Sequence, residues 1–224
     1  MRDGSLKVDF HTHTLYSPDS IAKIENLIKA AHSRGLDRLV ITDHNRIAGA
    51  LKAKQMEPDF IIVGEEIKTT TGEILASFVQ EQIPAGLDPF RVIELLRQQN
   101  AFISLSHPMD FARCGWPLEL LTELAPLVDA IEVANARVFK PQTNSQAYQF
   151  AIKHGLAFTA GSDAHDPYEV GRMVLDVPDF ADADGLRRVI RMGKPVGVRS
   201  HSWVHLFSVQ ARITKALRPD EYWL

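Results

Sequence analysis

Short apolar runs rich in β-branched residues recur along the chain and alternate with segments of helical spacing. The runs read KVDF at 7–10, RLVIT at 38–42, FIIVGEEI at 60–67, EILASFV at 73–79, AFISLS at 101–106, AIEVA at 130–134 and AFTAG at 157–161. Each run is typical of a mostly buried strand. Apolar spacing predicts helices over 21–33, 90–99, 118–124 and 145–154. The alternation predicts a parallel α/β architecture, either a barrel or an open sheet.

Two parts of the chain depart from simple alternation. The short TTTG connection between the runs at 60–67 and 73–79 suits a hairpin. The tail SWVHLFSVQARITKALRP, 202–219, has spaced apolar residues and predicts a final helix packed on the body. With 224 residues, of which 45% are hydrophobic, the chain can build one sizeable core, so we expect a single domain over 1–224.

Charge and cysteine content narrow the range of partners. The net charge is -3 and no run of Lys or Arg occurs, so nucleic acid is a disfavoured partner, although it is not excluded. Cys114 is the single cysteine, which excludes an internal disulfide framework. We find neither a signal-peptide pattern nor an apolar run near the roughly 20 residues of a membrane span. These features predict a cytoplasmic protein with no membrane partner, and they leave the oligomeric state open.

Metal-binding residue types lie where these predicted strands end. His11 and His13 follow the first strand, and because residues i and i+2 of a strand point to the same side, both imidazoles can reach one point. A lone histidine after a strand is more often a solvated loop residue, so the prediction of a metal site depends on histidines recurring at several strand ends. Five of the nine histidines fall at the carboxyl ends of strands, the rim where α/β proteins bind ligands. This recurrence predicts a shared metal site.

Five motifs occur in a fixed order: HTHTLYSPD at 11–19, ITDHN at 41–45, VGEEI at 63–67, LSHP at 105–108 and AGSDAH at 160–165. In this order they resemble the PHP family, named for polymerase and histidinol phosphatase domains. The resemblance implies an α/β fold of the distorted (β/α)7 barrel type. It also implies up to three divalent ions, usually zinc, manganese or iron, and hydrolysis of phosphate esters.

The resemblance implies a ligand set for two of the ions. The first metal would be held by His11, His13, Glu66 and Asp163, and the third by Asp19, His44 and His165. Glu66 would also bridge to the second metal. The family's G-x-E spacing, counted from Gly64, selects Glu66 over Glu65, and strand alternation agrees because Glu65 must face the opposite way.

The second metal is where this chain departs from the family pattern. Many relatives have a histidine some seven residues after the bridging glutamate, whereas this chain has Glu73 at or near that position. Glu73 would complete the site with Glu66 and His107. A carboxylate there would favour harder ions such as manganese or iron(II). The alternative is that Glu73 is a solvent-facing hairpin residue and that the second metal is weakly held or absent.

The predicted chemistry is attack on phosphorus by a metal-bound water, with Glu66, Asp163 and His107 as the catalytic residues. Arg113 and Arg137 follow rim strands and are candidates for binding the substrate phosphate. Glu132 and Asn135 are candidates for orienting the metal-binding histidines. The remaining histidines, His32, His154, His201 and His205, are expected on helical segments away from the rim.

The function that these features favour is a metal-dependent phosphoesterase with two to three divalent ions (Mn, Zn or Fe) and a small phosphorylated metabolite or nucleotide as substrate. One alternative is a nuclease that trims single-stranded ends, which the acidic balance and the few aromatic residues disfavour. The other is a non-catalytic metal-binding regulatory domain.

Overall fold

The computed structural model describes residues 4–222 and shows strands and helices in near alternation. The strands are β1 Ser5–Asp9, β2 Arg38–Ile41, β3 Ile61–Lys68, β4 Glu73–Ser77, β5 Phe102–Leu105, β6 Ala130–Asn135, β7 Ala157–Gly161, β8 Met173–Pro178 and β9 Lys194–Gly197. The helices are α1 Ile24–Ser33, α2 Ala48–Met56, α3 Pro89–Gln98, α4 Leu118–Leu124, α5 Pro141–His154, α6 Ala183–Val189, α7 His205–Leu217 and α8 Pro219–Tyr222.

The nine strands form one sheet in the order β7-β6-β5-β4-β3-β2-β1-β8-β9. The pairs β1/β2, β2/β3, β5/β6 and β6/β7 are parallel. The chain just after β1 meets β7, because Phe10 N donates to Ala160 O at 3.2 Å and Thr12 bridges to Ala164. The sheet therefore nearly closes on itself, as the predicted barrel requires.

The predicted hairpin is confirmed. β3 and β4 pair antiparallel with Glu66 opposite Leu75 and Lys68 opposite Glu73. β4 also pairs antiparallel with β5, so this strand interrupts the parallel order and distorts the barrel. Its position brings the start of β4, at Glu73, to the same edge as the ends of β3 and β5.

The predicted helices are present, with shifted ends. α5 begins at Pro141, because proline is well tolerated in a helix's first turn, and it ends before Gly155, which has φ +64°. Sequence patterning missed α2, α6, β8 and β9. The buried face of α2 consists of Gly49, Ala50 and Ala53, which carry almost no apolar contrast. Among residues 4–222, no helix combines the length and apolarity needed to cross a membrane.

The final helix packs on the body, as its spacing predicts. Ala211 and Lys215 are the buried residues of α7. Lys215 Nζ donates to the carbonyls of Leu15, at 2.6 Å, and Ser17. These carbonyls belong to the loop that follows β1, so α7 is attached beside the open end of the barrel.

Candidate metal centre

The first and last motifs are held side by side by backbone hydrogen bonds. Asp163 N donates to His11 O at 2.7 Å, and His13 N donates to Ala164 O at 2.8 Å. A Cβ at Gly161 would overlap the Cβ of His11, which explains why the strand end needs glycine here. This close approach brings residues 150 positions apart in sequence to the same rim.

Glu66 is the carboxylate at the centre of the site. Its oxygens lie 3.2 Å from His11 Nε2, 3.4 Å from His13 Nε2, 3.1 Å from His44 Nδ1 and 3.3 Å from His107 Nε2. Ser106 Oγ also donates to Glu66 Oε1 at 2.7 Å. Four imidazoles around one buried carboxylate fit the bridging role that the resemblance implies for Glu66.

The residues expected to hold the first metal lie close to one another, and so do the residues expected to hold the third metal. Asp163 Oδ1 lies 3.4 Å from His13 Nε2 and 3.7 Å from His11 Nε2. Asp19 Oδ1 lies 3.3 Å from His165 Nε2, and its Oδ2 lies 3.5 Å from His44 Nε2. His13 joins the two sets, because its ring centroid lies 4.2 Å from that of His165.

Glu73 lies in the pocket. Its side chain is 12% exposed, and Oε2 is 3.5 Å from His107 Nε2. Glu73, Glu66 and His44 each place one ligand atom within 4.8 Å of the others. The solvent-facing orientation of the alternative is therefore wrong, since β4 begins at the rim and directs this side chain into the pocket, whereas binding of a second metal there stays a prediction.

The donor set fits divalent ions. Four buried candidate ligand atoms make no hydrogen bond within residues 4–222: His11 Nε2, His13 Nε2, Asp19 Oδ1 and Glu66 Oε2. Buried polar atoms in proteins are normally paired, so unpaired nitrogens and carboxylate oxygens this close together fit the binding of cations. Two further groups have ligand atoms within 4.8 Å of one another: His13 with His44 and His165, and His11 with His13 and Asp163.

Groups behind the ligands fix their orientation. Glu132 Oε1 lies 3.0 Å from His11 Nδ1, and Glu132 Oε2 accepts a bond from His107 N at 2.8 Å. Asn135 Nδ2 donates to Glu132 Oε2 at 3.1 Å and to Asp163 Oδ2 at 3.0 Å. Both residues thus lie where the sequence predicts them. Ser17 Oγ, 3.0 Å from His13 Nδ1, has the same role and was missed, because serine in a loop carries no distinct signal.

The charges of the site are strongly coupled. Burial alone would raise the pKa of Glu66, but His11 and His44 hold it well below its usual range. Burial, together with His165 and His44, lowers the pKa of His13 to about 3. Burial and the charge of Glu66 raise the pKa of Glu73. A site whose groups disturb one another this strongly in a cleft is typical of a functional centre.

The two arginines predicted to bind phosphate both form hydrogen bonds with other residues of the protein. Arg113 donates to Asp163, to Asp110 at 3.1 Å and to Asn135 at 3.2 Å. Arg137 is 3% exposed and donates to Val204 O at 2.9 Å and to Ser208 Oγ at 3.0 Å, and its Nη1 lies 2.5 Å from His165 Nδ1. This geometry makes Arg137 a positioning residue that connects a candidate ligand to α7. Contact of either arginine with substrate stays a prediction.

The expectation that His205 lies away from the rim is wrong. His205, Ser208, Val209 and Arg212 all line the pocket that contains the metal-binding residues. Their spacing of i, i+3, i+4 and i+7 places them on one face of α7. The apolar spacing of the tail indicated a helix but not which face meets the site, because that choice depends on how α7 packs.

Comparisons with known proteins agree with this geometry. A family model described as PHP domain matches residues 9–154, and a model described as PHP-associated matches residues 141–195. An uncharacterized protein of Methanocaldococcus jannaschii is 34% identical over 174 residues, which cover 76% of this chain and 70% of that protein.

Solved structures share the fold at low identity. PsfC from Pseudomonas syringae superposes with a TM-score of 0.68 at 17% identity, covering 96% of this chain and 99% of PsfC. A Bifidobacterium adolescentis protein to which metal-dependent phosphoesterase activity has been ascribed gives 0.59 at 18%, covering 70% and 87%. The lesion-specific endonuclease EndoQ from Pyrococcus furiosus gives 0.60 at 14%, covering 85% and 57%.

The family model covers more than half of the chain, and the motifs it spans are those that build the rim. The sheet order, the near closure of the barrel and the clustered ligands match the fold and site implied by the resemblance. The chain therefore belongs to the PHP domain family.

Proposed function

We propose that this protein is a metal-dependent phosphoesterase that hydrolyses a phosphate ester of a small metabolite or nucleotide. The observation that carries the proposal is the convergence of nine ligand side chains on one pocket. They are His11, His13, Asp19, His44, Glu66, Glu73, His107, Asp163 and His165. In a structural zinc site, four protein ligands fill every coordination position of one ion. A set of nine candidate ligands beside an open pocket instead favours several ions and a reactive centre.

The side chains of this site bind, orient and balance charge. Divalent ions held here would neutralise the phosphoryl oxygens and activate a water for in-line attack. Glu66 and Asp163 would hold the cations in place, and Glu132, 3.0 Å from His11 Nδ1, fixes the orientation of the His11 ring. Because water is the attacking group, no serine or cysteine nucleophile is needed. The Ser106 and Ser162 hydroxyls instead donate hydrogen bonds to the carboxylates of Glu66 and Asp9.

The number and identity of the ions are part of the proposal. The three groups of neighbouring ligand atoms support two to three ions per chain. Glu73 supports manganese or iron over zinc at the second position, because a carboxylate is a harder ligand than an imidazole.

A small substrate is favoured by the shape of the pocket. Its volume is about 390 Å³, the lower end of the range for small-molecule sites, and α7 forms one wall. The fold is shared with an endonuclease as well, so end-trimming of single-stranded nucleic acid is the competing activity. A strand of nucleotides needs an open groove, and α7 would obstruct one here.

The test is a substrate panel with the manganese-loaded protein. The panel contains histidinol phosphate, nucleoside mono- and bisphosphates, and short single-stranded oligonucleotides, and it is read by phosphate release and by oligonucleotide length. We expect phosphate release from at least one small ester, abolished in Glu66→Gln. Shortening of oligonucleotides without hydrolysis of small esters would favour the nuclease. Bound metal with no hydrolysis would favour a regulatory domain.

A further inference from the structure

The arginines around the pocket differ in how many of their donors are already bound. All three side-chain nitrogens of Arg113 donate to protein acceptors. Both Nη atoms of Arg137 do so as well, and its buried Nε lies 3.1 Å from Glu169 Oε2. Arg212 is different. Among residues 4–222 its guanidinium makes one hydrogen bond, from Nη2 to Asp19 Oδ2 at 2.9 Å, and its side chain is 66% exposed. Arg212 therefore keeps donors for a ligand.

Arg212 is placed at the metal centre by a well-anchored helix. Lys215 and Ala211 on the buried face of α7 attach it to the body, and Arg212 lies on the face that lines the pocket. Asp19, which Arg212 contacts, is also within 3.5 Å of His44 and His165. A guanidinium bonded to this carboxylate lies next to any anion held at the same centre.

From this count of donors we propose that Arg212 binds the phosphoryl group of the substrate. This inference rests on the proposed function and adds a residue that no motif contains. Its bond to Asp19 fixes Nη2, and the planar fork then presents the other donors to phosphate oxygens. Arg113 and Arg137 hold Asp163, His165 and α7 in position for this contact.

The test is an isothermal calorimetric titration of inorganic phosphate into manganese-loaded protein, which measures the phosphate affinity. Arg212→Met should bind phosphate about tenfold to a hundredfold more weakly than wild type, the usual cost of one lost charge-assisted contact. Arg212→Lys should recover only part of the affinity, because an ammonium lacks the fork. The matched control is Arg218→Met, an equally exposed arginine just after α7 that pairs with Glu221 at 3.6 Å and does not line the pocket.

Metal content and melting temperature, measured on the same samples, separate the possible results. If Arg212 only balanced the charge of Asp19, Arg212→Met would bind metal more tightly and phosphate as well as wild type, and the inference would be overturned. A raised KM with unchanged phosphate affinity would also overturn it, since Arg212 would then contact another part of the substrate. If wild type hydrolyses no ester but Arg212→Met still loses phosphate binding, the proposed function fails, and Arg212 is a phosphate-binding residue of a site that does not hydrolyse esters.

Discussion

Two adjacent carboxylates on β3, Glu65 and Glu66, have opposite surroundings. Glu66 faces the rim, where His11, His44 and His107 outweigh the effect of burial and hold its pKa well below the usual range. Glu65 faces the other way and is fully buried, and burial raises its pKa to about 7. Its Oε2 accepts a single hydrogen bond, from Ile83 N at 3.0 Å, and Oε1 has no partner among the described residues.

The comparison shows that the face of the strand, rather than the residue type, sets the chemistry. Successive side chains of a strand point to opposite sides, so a shift of one position separates a charged centre from an apolar core. A carboxylate without compensating cations or donors is disfavoured in the charged form. Glu65 is thus a natural control for every experiment on Glu66.

The largest effect is expected from Glu66→Gln compared with Glu65→Gln. Removal of a ligand should cost more than the 10- to 100-fold loss usual for the partners behind ligands, so Glu66→Gln should lose at least about a hundredfold in turnover. Its bound metal should fall as well. Glu65→Gln should stay within about twofold of wild type in both measurements. Equal losses in the two variants would show that β3 responds as a whole and that the faces are not distinct.

A smaller loss of activity is expected from Glu132→Ala, because Glu132 contacts two rim histidines and is not itself a predicted metal ligand. Without Glu132, His11 Nδ1 and His107 N lose their shared acceptor. We expect activity or metal affinity to fall by about 10- to 100-fold. Metal titration and turnover measure this, and Glu123→Ala on α4, which none of these contacts involves, is the control. Normal metal affinity would mean that the His11 ring is held by packing alone.

A change in selectivity rather than a large loss is expected at Glu73. Glu73→His should move the metal preference from manganese towards zinc while substantial turnover remains, because both side chains are competent ligands. Glu73→Ala should lose metal at one position only. Metal content and turnover with each ion check both variants. A full metal complement and normal activity in Glu73→Ala would remove Glu73 from the ligand set.

The smallest effect is a pH-dependent stability difference in Glu65→Gln. Burial raises the pKa of Glu65 in the folded state to about 7, above its usual value of 4.5, so the folded state binds this proton more tightly. The stability that this proton binding gives is complete below pH 4.5 and is lost as the pH rises through 7. Glutamine has no such dependence.

Relative to wild type, Glu65→Gln should therefore gain stability between about pH 4.5 and 7, on the order of 3 kcal/mol at most. The measurement is the difference in melting temperature between the two proteins from pH 4 to 8.5, with metal-free samples of both. A difference that does not vary with pH would show that Glu65 is solvated.

Much of the fold and centre could be predicted from sequence because the determining signals are local. The spacing of His11 and His13 and the alternation along β3 each fix geometry within a few residues. α2 and β9 could not be predicted, because their patterns carry little apolar contrast: α2 buries mostly small residues, and β9 is mostly exposed. β8 is different, because its run MVLDVP is as apolar as the predicted strands although the patterning missed it.

The sequence by itself determined the residue types of a multi-ion centre and the strand ends that carry them. Only the tertiary structure decided which cations surround the centre and which of them keep donors for a ligand. In the sequence, Arg113 and Arg137 are distinguished only because they follow rim strands, and no feature of the tail marks Arg212 as a contact of the centre. The physical reason is that hydrogen-bond saturation depends on acceptors brought from distant elements, such as Asp19 meeting Arg212 across 193 positions.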